Sequence, residues 1–358
     1  MTSRYDDQGI CVDSTLSWPA MRTKYLLDWH APWLTTPLVD DVLAKKMVSD
    51  AARCEPEGLP QKEKLARARR KVREDWHMTG CPSLSLSNPN GQENWFPAVY
   101  EGRITPARAF EAFTGPGQVR LVDGSEIEVD AVVFCTGYRH RWDIMPELEM
   151  DGTCDLPLQT AKDAAGATDP SQHPHLPRLF RLLFPPKHAS SIAFLSHLAP
   201  QENAWCVAEL ASMAIAQIWA AESTKDTPSE GLPSGYRKPA LLPSVAEMEA
   251  EVDGYHKWWR GLWAKDHSAL EGYVPGHTWY RFLHEMAGTG VLDHLDHFLT
   301  TRGFQLWWKD RRLHTWLSWG PMNAHAWRLF MTNPRGVPGC GRKPWPGARK
   351  AVKDAVSF

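Results

Sequence analysis

The stretch Gly117–Arg139, GQVRLVDGSEIEVDAVVFCTGYR, constrains the fold more than any other part of the chain. Val119 and Leu121 alternate with polar neighbours, and Ile127 and Val129 do so again after the turn pair Asp123-Gly124. That pattern predicts a hairpin. Ala131 to Cys135 is then a continuous apolar run, the signature of a strand covered on both faces. It stops at Thr136-Gly137-Tyr138, where a glycine lets another backbone or a ligand approach closely. A central strand with a tight exit and a ligand-binding strand end are both open on these residues alone.

Helical expectations come from periodicity and capping. Val39–Ala52 and Gln61–Trp76 read as helices, the second with Leu65, Ala68, Val72 and Trp76 near one face. Its basic run, interleaved with acids, reads as a solvated face rather than a phosphate site. Ile192–Leu195 reads as a second buried strand, ending at Ser196-His197. Glu202–Ala221 reads as an apolar helix against a sheet. Ser244 followed by Glu247 is a capping-box pattern opening a helix to about Trp263. Trp279–Leu299 reads as one or two helices broken near Gly288-Thr289-Gly290. Phe304–Trp308 and Trp316–Trp319 add aromatic density.

DAVVFCTGY resembles the "ATGY" strand of the flavin-containing monooxygenases and their Baeyer-Villiger relatives. LFRLLFPPKHASSIAFLSHLAPQENAWCVAELASMAIAQIWA, from Leu179, is similar to that family's late flavin-domain segment. LLPSVAEMEAEV and RKPWPGARKAV resemble its carboxyl-terminal region. The resemblance spans roughly Leu34 to Val352 and covers the second half of the family only. It implies an α/β fold: a truncated flavin-monooxygenase-like, remnant Rossmann-type sheet with extensive added helices. The implied organisation is a mainly helical region at 1–98, a flavin-domain-like α/β core at 99–222, and a helical, tryptophan-rich region at 223–358.

The family's activity needs glycine loops that place the pyrophosphates of FAD and NADPH at helix amino ends. No G-x-G-x-x-G occurs in this sequence; GTG at 288–290 and GCG at 339–341 are the nearest strings, and neither follows a valine-rich strand. The sequence starts where the family's nicotinamide loop has already passed. Without those backbone N–H groups neither cofactor is expected, and flavin chemistry belongs to the cofactor. Three explanations are open: a remodelled scaffold with a cofactor-independent task, one half of a split FAD/NADPH monooxygenase, and a truncated product. The first is taken forward as the expectation.

The 18 tryptophans suit a core, an oligomer interface or a deep apolar pocket, and on that expectation the tryptophan-rich remainder lines a pocket for a hydrophobic polycyclic or polyene metabolite. The reaction class is then an isomerisation or ring closure, with rate drawn from holding the reacting conformer and polarising a carbonyl. The two strand exits supply the candidates. His197, Glu202 and Tyr138 are the catalytic set, since imidazole and carboxylate move protons and a phenol donates a hydrogen bond. Gln201, Asn203, Trp205, Arg139, His140 and Trp142 are the substrate-binding set. A binding protein with no catalytic role is the other alternative.

The near-balanced charge, net −2, argues against nucleic acid as a partner. The seven cysteines have no metal spacing and predict a reducing, cytoplasmic setting. His294, Asp296 and His297 lack a third ligand, and no metal is expected. No transmembrane segment is expected either, and a homo-oligomer is left open.

Overall fold

The computed structural model describes residues 17–79, 94–107, 109–135, 176–195, 197–200, 204–224, 242–265, 269–295, 301–330 and 344–356, with 277 and 301–303 described by their backbone alone. It is mostly helical, with one small antiparallel sheet. The chain forms two compact units, one from 40–81 and 89–144, the other from 4–39, 82–88 and 145–358.

The smaller unit takes the end of α2 (Pro32–Ala52), then α3 (Gln61–Arg70), α4 (Trp95–Tyr100) and the sheet. In α3, Glu63 lies in the first turn and Arg67, Arg69 and Arg70 in the last, which suits the helix dipole. The helix continues into a wide π turn, Lys71–Asp75, closed by the Trp76 N–H on the Lys71 carbonyl at 2.7 Å. Ala51, Ala68, Val72, Phe96 and Val99 are buried here, and Trp76 packs edge-on against Tyr100.

The hairpin pattern forms as expected. Strands β1 (Phe110–Gly115), β2 (Gln118–Leu121) and β3 (Glu126–Glu128) pair antiparallel in that order, with Val119 opposite both Phe113 and Ile127. Asp123 accepts hydrogen bonds from the Ser125 backbone and hydroxyl at the second turn. Only Val119 and Leu121 are buried in the sheet.

The expected buried strand at 131–135 does not form. These five residues have no regular structure and are all exposed, Val133 at 81% and Phe134 at 65%. Cys135 is exposed with them, not buried. A continuous apolar run becomes a central strand only where a layer covers each face, and the described part of this unit offers only a thin meander. The second expected strand, Ile192–Leu195, is also irregular and half-buried; Phe194 holds to the Leu183 carbonyl by one hydrogen bond at 2.8 Å.

The larger unit packs α1 (Trp18–His30), α5 (Ala204–Thr224), α6 (Val245–Trp263), α7 (Gly276–Ala287), α8 (Val291–Leu295), α9 (Thr301–Lys309), α10 (Arg311–Trp319) and α11 (Ala348–Asp354) around one core. The capping box of α6 is present: Glu247 N–H donates to the Ser244 hydroxyl and Ser244 N–H to the Glu247 carboxylate. By length and composition alone α5 is apolar enough to cross a membrane over Ala204–Ser223. Its buried face, with Val207, Leu210, Ala214 and Ile218, packs on α7 in the manner of a core helix.

Several tryptophans serve this core. Trp259, Trp279 and Trp327 are fully buried, and two of them spend their indole N–H on loop carbonyls, Trp259 on Leu270 at 2.8 Å and Trp279 on Arg181 at 2.6 Å. The second bond ties down a loop in which Arg181 and Leu182 both have positive φ, a conformation costly for side-chain-bearing residues.

Candidate functional site

Of the nine catalytic and substrate-binding candidates drawn from the sequence, the structure describes two. His197 is buried at 4% exposure. Trp205, in the first turn of α5, is 85% exposed. Tyr138, Arg139, His140, Trp142, Gln201, Glu202 and Asn203 lie outside the described residues, as do Asp296 and His297.

His197 belongs to a short extended segment laid against Gly272 and Tyr273. Ala199 N–H donates to the Gly272 carbonyl at 2.9 Å, and Ala199 and Tyr273 form an isolated parallel bridge. Gly272 has φ +73°, and a Cβ there would lie 2.6 Å from the His197 carbonyl oxygen. Only glycine permits both the backbone shape and the approach.

Tyr273 leads from this segment to an ionic group on α1. Lys24 and Asp28 sit one turn apart, and the Lys24 ammonium reaches the Asp28 carboxylate at 2.5 Å. The Tyr273 hydroxyl donates to the same carboxylate oxygen at 3.0 Å and accepts from Lys24 at 3.1 Å. Asp28 is 8% exposed and has both donors on one carboxylate oxygen. The Tyr255 hydroxyl donates to the Tyr273 carbonyl at 3.0 Å and fixes the strand from the other side. The three side chains thus form one closed hydrogen-bonded group. The cavities described beside core tryptophans are of water size, about 10 Å³ next to Trp18 and about 20 Å³ next to Trp279.

The smaller unit holds a wider cavity of about 520 Å³, walled by Cys54, Glu55, Arg67, Lys71, Tyr100 and Glu101 among others. Its volume falls in the range that takes a small molecule. Glu55, 4% exposed, accepts from Lys71 at 2.9 Å and from the Tyr100 hydroxyl at 2.7 Å, both on one oxygen. The Lys71 ammonium also lies 4.1 Å from the Tyr100 ring centroid. Burial works against the Glu55 charge, but the bonds from Lys71 and Tyr100 outweigh it and hold the carboxyl below its ordinary range. Burial first, then the Glu55 bond, pushes the Tyr100 phenol well up. Burial also raises the Cys54 thiol, which keeps it protonated and a poor nucleophile. Glu55 is thus a fixed negative charge rather than a base. Nothing in the sequence flagged it; the π turn that presents Lys71 has no clear sequence signal.

His284 is structural. It is buried, its Nδ1 lies 2.8 Å from the Thr289 hydroxyl, and burial drives its pKa down to about 3, so the ring is neutral. Among the described residues no three His, Cys, Asp or Glu side chains gather as a metal-binding set.

No family model matches the chain. The protein named Monooxygenase aurF, from Gibberella zeae, is 31% identical over 281 residues, which are 78% of this chain and 47% of that protein. A 4-hydroxybenzoate brominase (decarboxylating) from Marinomonas mediterranea is 24% identical over 226 residues, 61% of this chain and 38% of that one. The chain spans less than half the length of these curated relatives.

These relatives overturn the expected cofactor-independent isomerase or cyclase. Both carry names of redox chemistry, an oxygenation and a bromination. The sequence argument treated the absent glycine loops as lost chemistry, yet more than half of each relative lies outside the matched stretch. The described residues still do not fit an FAD on their own. The described strands join by hairpin turns, with no strand–glycine loop–helix unit among them, and the run at 131–135 is exposed coil. The chain is a distant homologue of monooxygenase-type redox enzymes.

Proposed function

We propose that this chain is one part of a composite monooxygenase-type oxidoreductase, the FAD- and NADPH-binding glycine loops being supplied by residues outside this sequence. The observation that carries the reading is the 31% identity to Monooxygenase aurF over 78% of this chain. The exposed run Ala131–Cys135 supports it. A sequence suited to burial on both faces, left in solvent, fits a strand whose neighbouring strands and helices belong to the missing part. On this reading the chain retains the remnant of a Rossmann-type sheet in 99–222. Its own residues would shape and orient the substrate side of the site. His197 is the acid–base candidate, next in sequence to the segment bridged to Tyr273. An aromatic carboxylic acid is the first substrate class to try, from the name of the second relative.

The test is a chimera. The part of the Gibberella zeae protein outside the matched stretch is fused to this chain as one polypeptide, and NADPH oxidation is followed together with oxygen uptake. The reading predicts flavin retention and oxygen uptake dependent on NADPH. A folded chimera that retains flavin but consumes no oxygen with any aromatic substrate would refute it.

A further inference from the structure

Helices α9 and α10 meet at Asp310 and turn one stripe, Leu306, Leu313 and Leu317, into the core of the larger unit. Their outer side carries large rings among its polar groups. Phe304 is 48% exposed, Trp308 67% and Trp319 62%. Phe304 and Trp308 lie one helical turn apart with rings nearly parallel, 6.0 Å between centroids, and Trp307 lies 5.6 Å from Phe304. Single exposed rings are ordinary, but contiguous ones on one helix face mark a contact surface.

The charge around these rings has one sign. The segment 301–319 carries Arg302, Lys309, Arg311 and Arg312 against the single acid Asp310, in a chain of net charge −2. Asp310 is already committed: it caps α10 through the Leu313 N–H at 3.0 Å and pairs with Arg349 at 2.7 Å. Arg311 rests its guanidinium 4.5 Å from the Trp307 ring centroid, and Lys309 and Arg312 reach into solvent at the helix junction.

We infer that this face docks the protein on an anionic lipid surface, with Phe304 and Trp308 at the headgroup–acyl boundary and Lys309, Arg311 and Arg312 against headgroup phosphates. Indole and phenyl rings favour that boundary, and cations beside them gain from an anionic leaflet without leaving water. A protein groove would have to bury the same cations or offer an acid to each. The inference does not depend on the composite-enzyme reading, since it rests on none of the residues that reading uses.

The experiment is co-sedimentation of the full chain with vesicles of phosphatidylcholine alone and of phosphatidylcholine with phosphatidylserine in a roughly two-to-one ratio. The chain should bind the mixed vesicles and not the neutral ones, and lose binding in high salt. The pair Lys309→Gln and Arg312→Gln should weaken binding by about fivefold per charge removed. Phe304→Ala with Trp308→Ala should abolish it, with an unchanged circular dichroism spectrum because both side chains are exposed. Equal binding to both vesicles, or mixed-vesicle binding indifferent to either pair of substitutions, overturns the inference. So does a chain that ignores vesicles but self-associates through Trp308, which would make the face an interface between copies.

Discussion

Replacing Lys71 by Met isolates the Glu55 carboxylate and should invert the way this part of the chain responds to pH. The Glu55 side chain is 2% exposed and that of Lys71 29%. Breaking a fully buried pair costs about 3–5 kcal/mol, and an exposed one about 0–1. The cavity beside Glu55 admits solvent, so screening places the loss nearer about 2 kcal/mol at neutral pH. In the native chain the Glu55 pKa is lowered, so its contribution is present above the unfolded carboxylate value, about 4.3, and fades as pH falls through the lower folded value. Without Lys71, burial opposes the charge against only the Tyr100 bond and the Arg67 guanidinium. The folded pKa then rises above the unfolded one, and the variant gains stability as pH drops from neutral toward about 4.3. Hydrogen exchange of peptides covering 51–76 and 95–103, in urea at several pH values, reads both effects. A loss under about 0.5 kcal/mol, or a pH profile parallel to that of the native chain, would show that Glu55 is solvated and refute the reasoning.

Trp279→Phe leaves the Arg181 carbonyl without its 2.6 Å donor and opens space in the core, and should lower stability by about 2–3 kcal/mol in urea unfolding. Gly272→Ala meets a positive φ and the His197 carbonyl together, and should cost at least about 2 kcal/mol, read as a lower Tm. His284 is held neutral with a pKa of about 3, below its unfolded value near 6.5. Its stabilising effect is therefore complete above about pH 6.5 and lost progressively below it; urea midpoints between pH 7 and 5 should fall less steeply in His284→Asn than in the native chain.

What the sequence made legible was local. The Ser244/Glu247 capping box, the Asp123-Gly124 turn and the break of α7 at left-handed Gly288 are each set within a few residues, and each is where the pattern put it. The run at 131–135 was misread because its pattern reports the burial it is suited to, which neighbouring layers must supply. The tryptophan count left core, interface and pocket open because composition cannot separate a core indole such as Trp259 from a surface one such as Trp308. The ionic groups were beyond reach: Glu55 meets Tyr100 across 45 positions and Asp28 meets Tyr273 across 245, and no periodicity encodes such pairs.

The account's central claim is that the flavin-binding loops lie outside this sequence and that this chain completes them. The direct measurement is the 300–550 nm absorbance of the purified chain, alone and after co-purification with the unmatched part of the Gibberella zeae monooxygenase expressed separately with FAD. The account predicts a clear spectrum alone and a stoichiometric flavin spectrum in the complex. A stoichiometric flavin band on the chain alone would contradict it, because these residues would then cradle the cofactor unaided.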